Sequence, residues 1–191
     1  IIEDGAFYGT KLKNIGTTEN IIEIGNYAFY SLTAINSVSI PTSVTTIGNY
    51  AFQNCELVEL DLIEGITSVG NNAFEGNAKL VSINFPTTLK SIGVSGFLGC
   101  SSLTRVEFKE GITTLDSYAF RQCTNLSYAY ITSTVSSLTT TAFDFNHKLV
   151  YEVSEGNNTY SAIDGVLFDK AKTTLLSYAK DEISPVYVVH R

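Results

Sequence analysis

Hydrophobic and polar positions in this chain recur with a period too long for any single helix or strand. Phe stands at 7, 29, 52, 74, 97, 120 and 143, at intervals of 22 or 23 residues. The residue before each is Ala, except for Gly96. Five places before each Phe stand Ile2, Ile24, Ile47, Val69, Ile92, Leu115 and Leu138. Eight places before it, from the second unit on, stand Ile21, Val44, Ile66, Leu89, Ile112 and Val135. Such self-similarity marks a repeat array, and it has to be recognised before any local element is assigned.

The unit reads LxxIxIPxxVxxIGxxAFxxCxx. Within LxxIxI the apolar residues alternate, as in Val38 and Ile40, Ile83 and Phe85, or Val106 and Phe108. A period of two predicts a short strand with one buried face, and Pro41 or Pro86 directly after it ends the pairing. GxxAFxx predicts a tight helical turn or 3₁₀ piece on the opposite side, with Gly25, Gly48, Gly70 and Gly93 letting the chain bend. The shorter intervals arise where Leu12 and Leu57 arrive one place early, in the connection after the Phe, where a loop absorbs a deletion.

One such unit cannot bury its own apolar residues, so like units must stack, strand beside strand and Phe over Phe. The fold class predicted is a β-dominated repeat solenoid with short parallel strands on a concave face. Seven units would make a ladder on the order of 30 Å long. They occupy residues 1–153, the first one truncated. Residues 154–191 form an irregular unit of the same continuous solenoid: Val166-Leu167-Phe168 and Leu175-Leu176-Ser177-Tyr178 predict a β-hairpin, and Tyr187-Val188-Val189 predicts the start of a further strand.

Composition narrows the function classes. With 12 basic and 19 acidic residues the net charge is -7, which repels a nucleic acid. No apolar run approaches the length of a membrane-spanning helix, so no membrane insertion is expected within this segment. Only 16% of residues are charged, and Thr, Ser and Asn dominate the polar remainder, a composition that suits strands and turns. Cys55, Cys100 and Cys123 form no CxxC spacing; packing as small buried hydrophobes is the favoured reading, with a Cys100 to Cys123 bridge as its alternative. The chain starts at Ile1 without a leader, so it reads as a fragment, expected to be a monomer with end-to-end association left open by the unpaired edge at Ile1.

IPTSVTTIGNYAFQNC, with FPTTLKSIGVSGFLGC and EGITTLDSYAFRQC, resembles the BspA-like leucine-rich repeat. The tail NNTYSAIDGVLFDKAKTTLLSYAKD is similar to the hairpin-bearing unit near the end of such arrays. The resemblance implies an α/β-type leucine-rich repeat horseshoe. It further implies a secreted or surface-displayed protein of mucosal or gut bacteria, or of some parasitic protists, that attaches to host proteins or other cells. Units six and seven depart from the pattern: Leu115-Asp116 and Leu138-Thr139 replace the Ile-Gly pair, and the proline is missing.

The outward positions of the strands form two columns: Asn14, Ser37, Glu59, Ser82, Arg105, Tyr128, and Gly16, Ser39, Asp61, Asn84, Glu107, Tyr130, with Glu152 following. Tyr and Arg combine contact area with directed hydrogen bonds, so the candidate ligand-binding residues are Glu59, Asp61, Arg105, Glu107, Tyr128 and Tyr130. The expected function is non-catalytic protein binding through this face. A structural spacer, or carbohydrate binding on the same aromatic patch, are the alternatives. His147 and His190 lie near no nucleophile motif, and GVSGF lacks GxSxG spacing, so no enzyme is expected. Glu64, Glu110 and Asp116 are spread too widely for a calcium loop; neither metal nor cofactor is expected. Asn125-Leu126-Ser127 and Asn157-Asn158-Thr159 match the glycosylation sequon, the second being the better acceptor by its place in a loop.

Overall fold

A computed structural model describes residues 1–13, 15 and 20–178. Its strands are short because each unit crosses a face of the solenoid in a few residues. In chain order they are β1 (Glu23–Ile24), β2 (Thr46–Ile47), β3 (Glu59–Asp61), β4 (Ser68–Val69), β5 (Ser82–Asn84), β6 (Ser91–Ile92) and β7 (Arg105–Glu107). There follow β8 (Thr114–Leu115), β9 (Tyr128–Ile131), β10 (Ser137–Leu138), β11 (Val150–Val153), β12 (Tyr160–Ile163), β13 (Val166–Asp169) and β14 (Leu175–Ser177).

Two parallel ladders result, where the sequence pattern predicts one. The first joins β1, β2, β4, β6, β8 and β10 in register, Ile24 beside Ile47, then Val69, Ile92, Leu115 and Leu138. It is built from the apolar residue five places before each Phe and its preceding neighbour. The second ladder is the predicted one, paired as β3 with β5 and as β7 with β9 and β11. Ser37 to Ile40, where the alternation also predicts a strand, has no strand pairing; the chain is joined there by the Val58 N–H donating to Asn36 C=O at 2.9 Å.

Between the ladders runs the Phe column. From Phe7 to Phe143, successive rings lie 4.9 to 5.3 Å apart and within 17° of parallel. Phe29, Phe52, Phe74, Phe97 and Phe120 are 0% exposed. The vertical repeat of a parallel ladder, about 4.8 Å, is also a good spacing for stacked rings, so backbone pairing and ring packing reinforce each other.

The turn holding each Phe is not helical. Tyr27, Tyr50, Asn72, Ser95 and Tyr118, two places before the Phe, have φ between 54° and 63°, a left-handed conformation that stops a right-handed helix. The Phe amide therefore points along the solenoid axis: Phe52 N–H donates to Ala73 C=O at 2.7 Å, Phe74 to Gly96 at 2.8 Å and Phe120 to Ala142 at 2.7 Å. Nor do the Ile-Gly glycines serve as bends. A Cβ on Gly48 would lie 2.6 Å from the carbonyl carbon of Gly25, and one on Gly70 2.7 Å from that of Gly48. Glycine is required there because consecutive backbones touch.

Several polar side chains inside the stack bond along the same axis. The residue three places after the Phe reaches back to carbonyls of the Phe column. Cys55, Cys100 and Cys123 donate their thiols to Phe29, Phe74 and Phe97 C=O at 3.1, 3.4 and 3.3 Å. Where Asn stands instead, its amide donates twice, Asn77 to Phe52 and Phe74 C=O at 2.8 and 2.9 Å. All three cysteines are free and buried.

At the C-terminal end the predicted hairpin is present, β13 antiparallel to β14, with a strand that the sequence reading misses, β12, on its other side. Asp169 accepts the Thr173 and Thr174 amides at 2.7 and 2.8 Å and closes the turn. Tyr151 N–H donates to Gly165 C=O at 2.9 Å and fastens this sheet to β11. The strand predicted at Tyr187 to Val189 lies outside the described residues.

Candidate functional site

The second ladder places the candidate residues on one surface in two groups. Register sets Glu59 beside Ser82 and Asp61 beside Asn84; farther along, Arg105 lies beside Tyr128 and Glu107 beside Tyr130. Asn14 and Gly16, at the start of the same columns, lie outside the described residues. Strand alternation turns these side chains outward while Leu60, Val106 and Ala129 go into the core.

Arg105, Glu107, Tyr128 and Glu152 form one network. The Arg105 guanidinium pairs through Nε with the Glu107 carboxylate and lies 3.7 Å from the centroid of the Tyr128 ring. Tyr128 Oη donates to Glu152 Oε2 at 2.6 Å. Partial burial of the Tyr128 hydroxyl, together with the Glu152 carboxylate that accepts its proton, pushes its pKa up from 10.0 to about 12, against the opposing pull of Arg105. Glu59 and Asp61 form a separate acidic group, in which Asp61 Oδ1 accepts from Asn84 Nδ2 at 2.8 Å. Between the groups a shallow depression is lined by Ser82, Asn84, Thr104, Arg105, Glu107 and Lys109.

Three residues of this surface escape the sequence-based site. Glu152 is recoverable from column arithmetic, because it is the register partner of Tyr130. Asn84 lies in the column too, but nothing in the sequence shows that it bonds Asp61. Lys109 sits past the end of β7, and no sequence signal points to it.

Other candidate groups have structural roles. Glu64 accepts the Thr87 amide and hydroxyl at 2.8 and 3.0 Å, and Glu110 accepts those of Ser133 at 3.2 and 2.7 Å, so both carboxylates brace the turn of the next unit. These hydrogen bonds hold both carboxyl pKa values below their ordinary range. Burial pushes the Cys55 thiol up to about 11 and raises that of Cys100 well above its ordinary value, which keeps both as neutral thiols. The Ser95 of GVSGF sits in a turn with its amide bonded to Ser117 C=O. The two sequons exchange rank: Asn157 is 0% exposed and its amide donates to Thr132 and Val135 C=O, whereas Asn125 is on the surface. His190 lies outside the described residues.

A solenoid of stacked 22- to 23-residue units with an apolar column and parallel ladders is a leucine-rich repeat architecture. The chain belongs to the BspA type leucine rich repeat family, whose model matches in six copies over residues 1–95, 23–150 and 67–174. Among solved structures it is similar to the pneumococcal vaccine antigen PcpA, at 28% identity and a TM-score of 0.71 over 75% of this chain and 36% of that one. It is also similar to the Treponema (T. pallidum) leucine rich repeat protein, at 29% identity and a TM-score of 0.63 over 72% and 63% of the two chains. A leucine rich cell surface protein of Faecalibacterium prausnitzii shares the fold, at 23% identity and a TM-score of 0.59 over 93% and 49%. The chain thus spans between about a third and two thirds of the length of these proteins. No curated protein sequence matches it. Among the described residues no helix is long and apolar enough to cross a membrane.

Proposed function

We propose that this chain is a non-catalytic, secreted or surface-displayed repeat domain, residues 1–153 with the irregular unit 154–191, that binds a protein ligand through the outward face of the second ladder. The observation that carries the reading is the Arg105–Tyr128–Glu152 network beside Tyr130. It holds an aromatic ring and a guanidinium in a fixed, partly open arrangement on an otherwise rigid sheet, and preorganised Tyr and Arg are what protein-binding hot spots use. Glu59, Asp61, Glu107 and Glu152 outweigh Arg105 and Lys109 on this face, so the favoured partner surface is basic with an apolar centre. The similarity to a vaccine antigen and a cell surface protein supports external display.

Titrating host extracellular proteins against the wild type and a Tyr128→Ser, Tyr130→Ser double variant, at low and high ionic strength, tests the proposal. Loss of binding in the variant, with moderate weakening by salt in the wild type, is expected. Equal binding by both proteins at both ionic strengths would overturn it and leave a spacer role.

A further inference from the structure

The turn side carries a cluster that the repeat does not require. The second residue after each column Phe is left-handed: Gly9, Ser31, Asn54, Gly76, Gly99 and Gln122 have φ of 63°, 56°, 55°, 74°, 73° and 60°. Unit seven places Phe145 there, at φ 61°, with 50% of its surface exposed. A bulky side chain in this conformation is disfavoured, and burial does not compensate here. The ring is nonetheless held firmly. The Arg121 guanidinium lies over one face, 4.8 Å from the Phe145 centroid and 4.9 Å from that of Tyr118, and its Nε is buried without a hydrogen-bond partner. The His147 ring stands perpendicular to that of Phe145, the two centroids 6.4 Å apart.

A shallow groove of about 320 Å³ adjoins this ring, lined by Asp144, Phe145, Asn146, His147, Ser177 and Tyr178. Arg121 and Tyr118 do not line it. Asn146 is 2% exposed; its amide donates to Phe120 and Phe143 C=O, but its Oδ1 is buried with no partner. The comparable Asn77 and Asn157 do have donors for theirs, from Leu57 N–H in one and from Thr159 and Tyr160 N–H in the other. A buried amide oxygen without a donor is unusual in a native fold.

We propose that this groove binds a neutral sugar residue, the C–H face of a pyranose stacking on the exposed part of the Phe145 ring while two of its hydroxyls donate to the two oxygens of the Asp144 carboxylate. The chemistry is selective. Two acceptors beside an aromatic face need closely spaced O–H donors, which vicinal hydroxyls supply. An anionic ligand would meet Asp144 and a chain of net charge -7. The volume lies at the small end of ligand sites and suits a single ring. The site is separate from the strand face and does not depend on the protein-binding proposal.

The test applies the full chain to an array of neutral hexose and N-acetylhexosamine termini, followed by NMR titration with the free monosaccharide of any terminus bound. Binding to at least one terminus is expected. Phe145→Gly restores the residue type of Gly76 and Gly99, so it should keep or raise the melting temperature while weakening sugar binding by about tenfold or more. Asp144→Asn should weaken binding in the same direction, and Tyr128→Ser, Tyr130→Ser should leave it unchanged. The proposal is overturned if no neutral terminus binds, or if Phe145→Gly or Asp144→Asn binds as the wild type does. It is likewise overturned if Phe145→Gly lowers the melting temperature, since the ring would then be a packing residue.

Discussion

The two ladders of this solenoid are made by the same stacking yet differ in uniformity. The first runs unbroken through six strands, and beside its apolar row stand Glu23, Thr46, Ser68, Ser91, Thr114 and Ser137, nearly all small hydroxyl residues. The second falls into a two-stranded and a three-stranded piece, and its outward residues change from Glu59 and Asp61 through Ser82 and Asn84 to Arg105, Glu107, Tyr128 and Tyr130. A position that repeats is one the stack requires; one that varies while its neighbours repeat is free to be used for recognition. Substitutions should therefore have opposite signatures on the two sides, affecting stability on one and binding on the other.

The largest effect should come from the shared Phe column. Phe74→Ala or Phe97→Ala leaves a cavity between units that cannot close independently, and denaturant unfolding should show a loss of about 3 to 5 kcal/mol. A loss below about 1 kcal/mol would break the comparison, because it would place the core elsewhere. Next comes the glycine stack of the first ladder. Gly48→Ala drives a methyl group into the Gly25 backbone and should cost about 1 to 3 kcal/mol by the same measurement. Asn77→Ala orphans carbonyls in the core and should cost about 1 to 3 kcal/mol, whereas Asn77→Cys should cost less, because Cys55, Cys100 and Cys123 fill equivalent places.

On the variable side the effects on stability are small. Tyr128→Ser with Tyr130→Ser should shift unfolding by about 1 kcal/mol or less while removing ligand binding, and a larger shift would mean that this face is also structural. Smallest of all is a titration. The Tyr128 pKa is raised in the folded chain, so its contribution to stability is complete below pH 10.0 and is lost as pH rises through about 12. Ultraviolet absorbance should show one tyrosine fewer ionising near pH 12 in Tyr128→Phe than in the wild type. A Tyr128 that ionised near 10 would mean that the Glu152 contact is not formed in solution.

How much was legible depended on whether a feature repeats. The Phe column and the outward strand positions follow from a period that seven copies make plain, and the C-terminal hairpin follows from two apolar segments on either side of a polar stretch. The first ladder was missed because Ile24 and its equivalents enter the core from strands of only two residues, too short to show alternation. The helical turn was wrongly expected because the spacing of GxxAFxx suits a helix, while Tyr27, Tyr50 and Tyr118 adopt left-handed angles that their identity does not advertise. β12 had no repeat to reveal it. Of the candidate site, the columns were readable, but the contact of Arg105 with Tyr128 and the separation of Glu59 and Asp61 from them were not.

The sequence by itself determined that these units stack and which side chains each must bury, because a 22- to 23-residue unit with one apolar face has no other way to remove that face from water. Tertiary structure alone decided which outward residues meet. Whether neighbouring columns bond depends on ladder register and on where pairing lapses, as it does between β5 and β7, and both are set by backbone contacts along the axis. The same holds for Phe145: its left-handed backbone, Arg121 over its face and the unpaired Asn146 oxygen beside it come from different units. They become a groove only when the solenoid brings those units into contact.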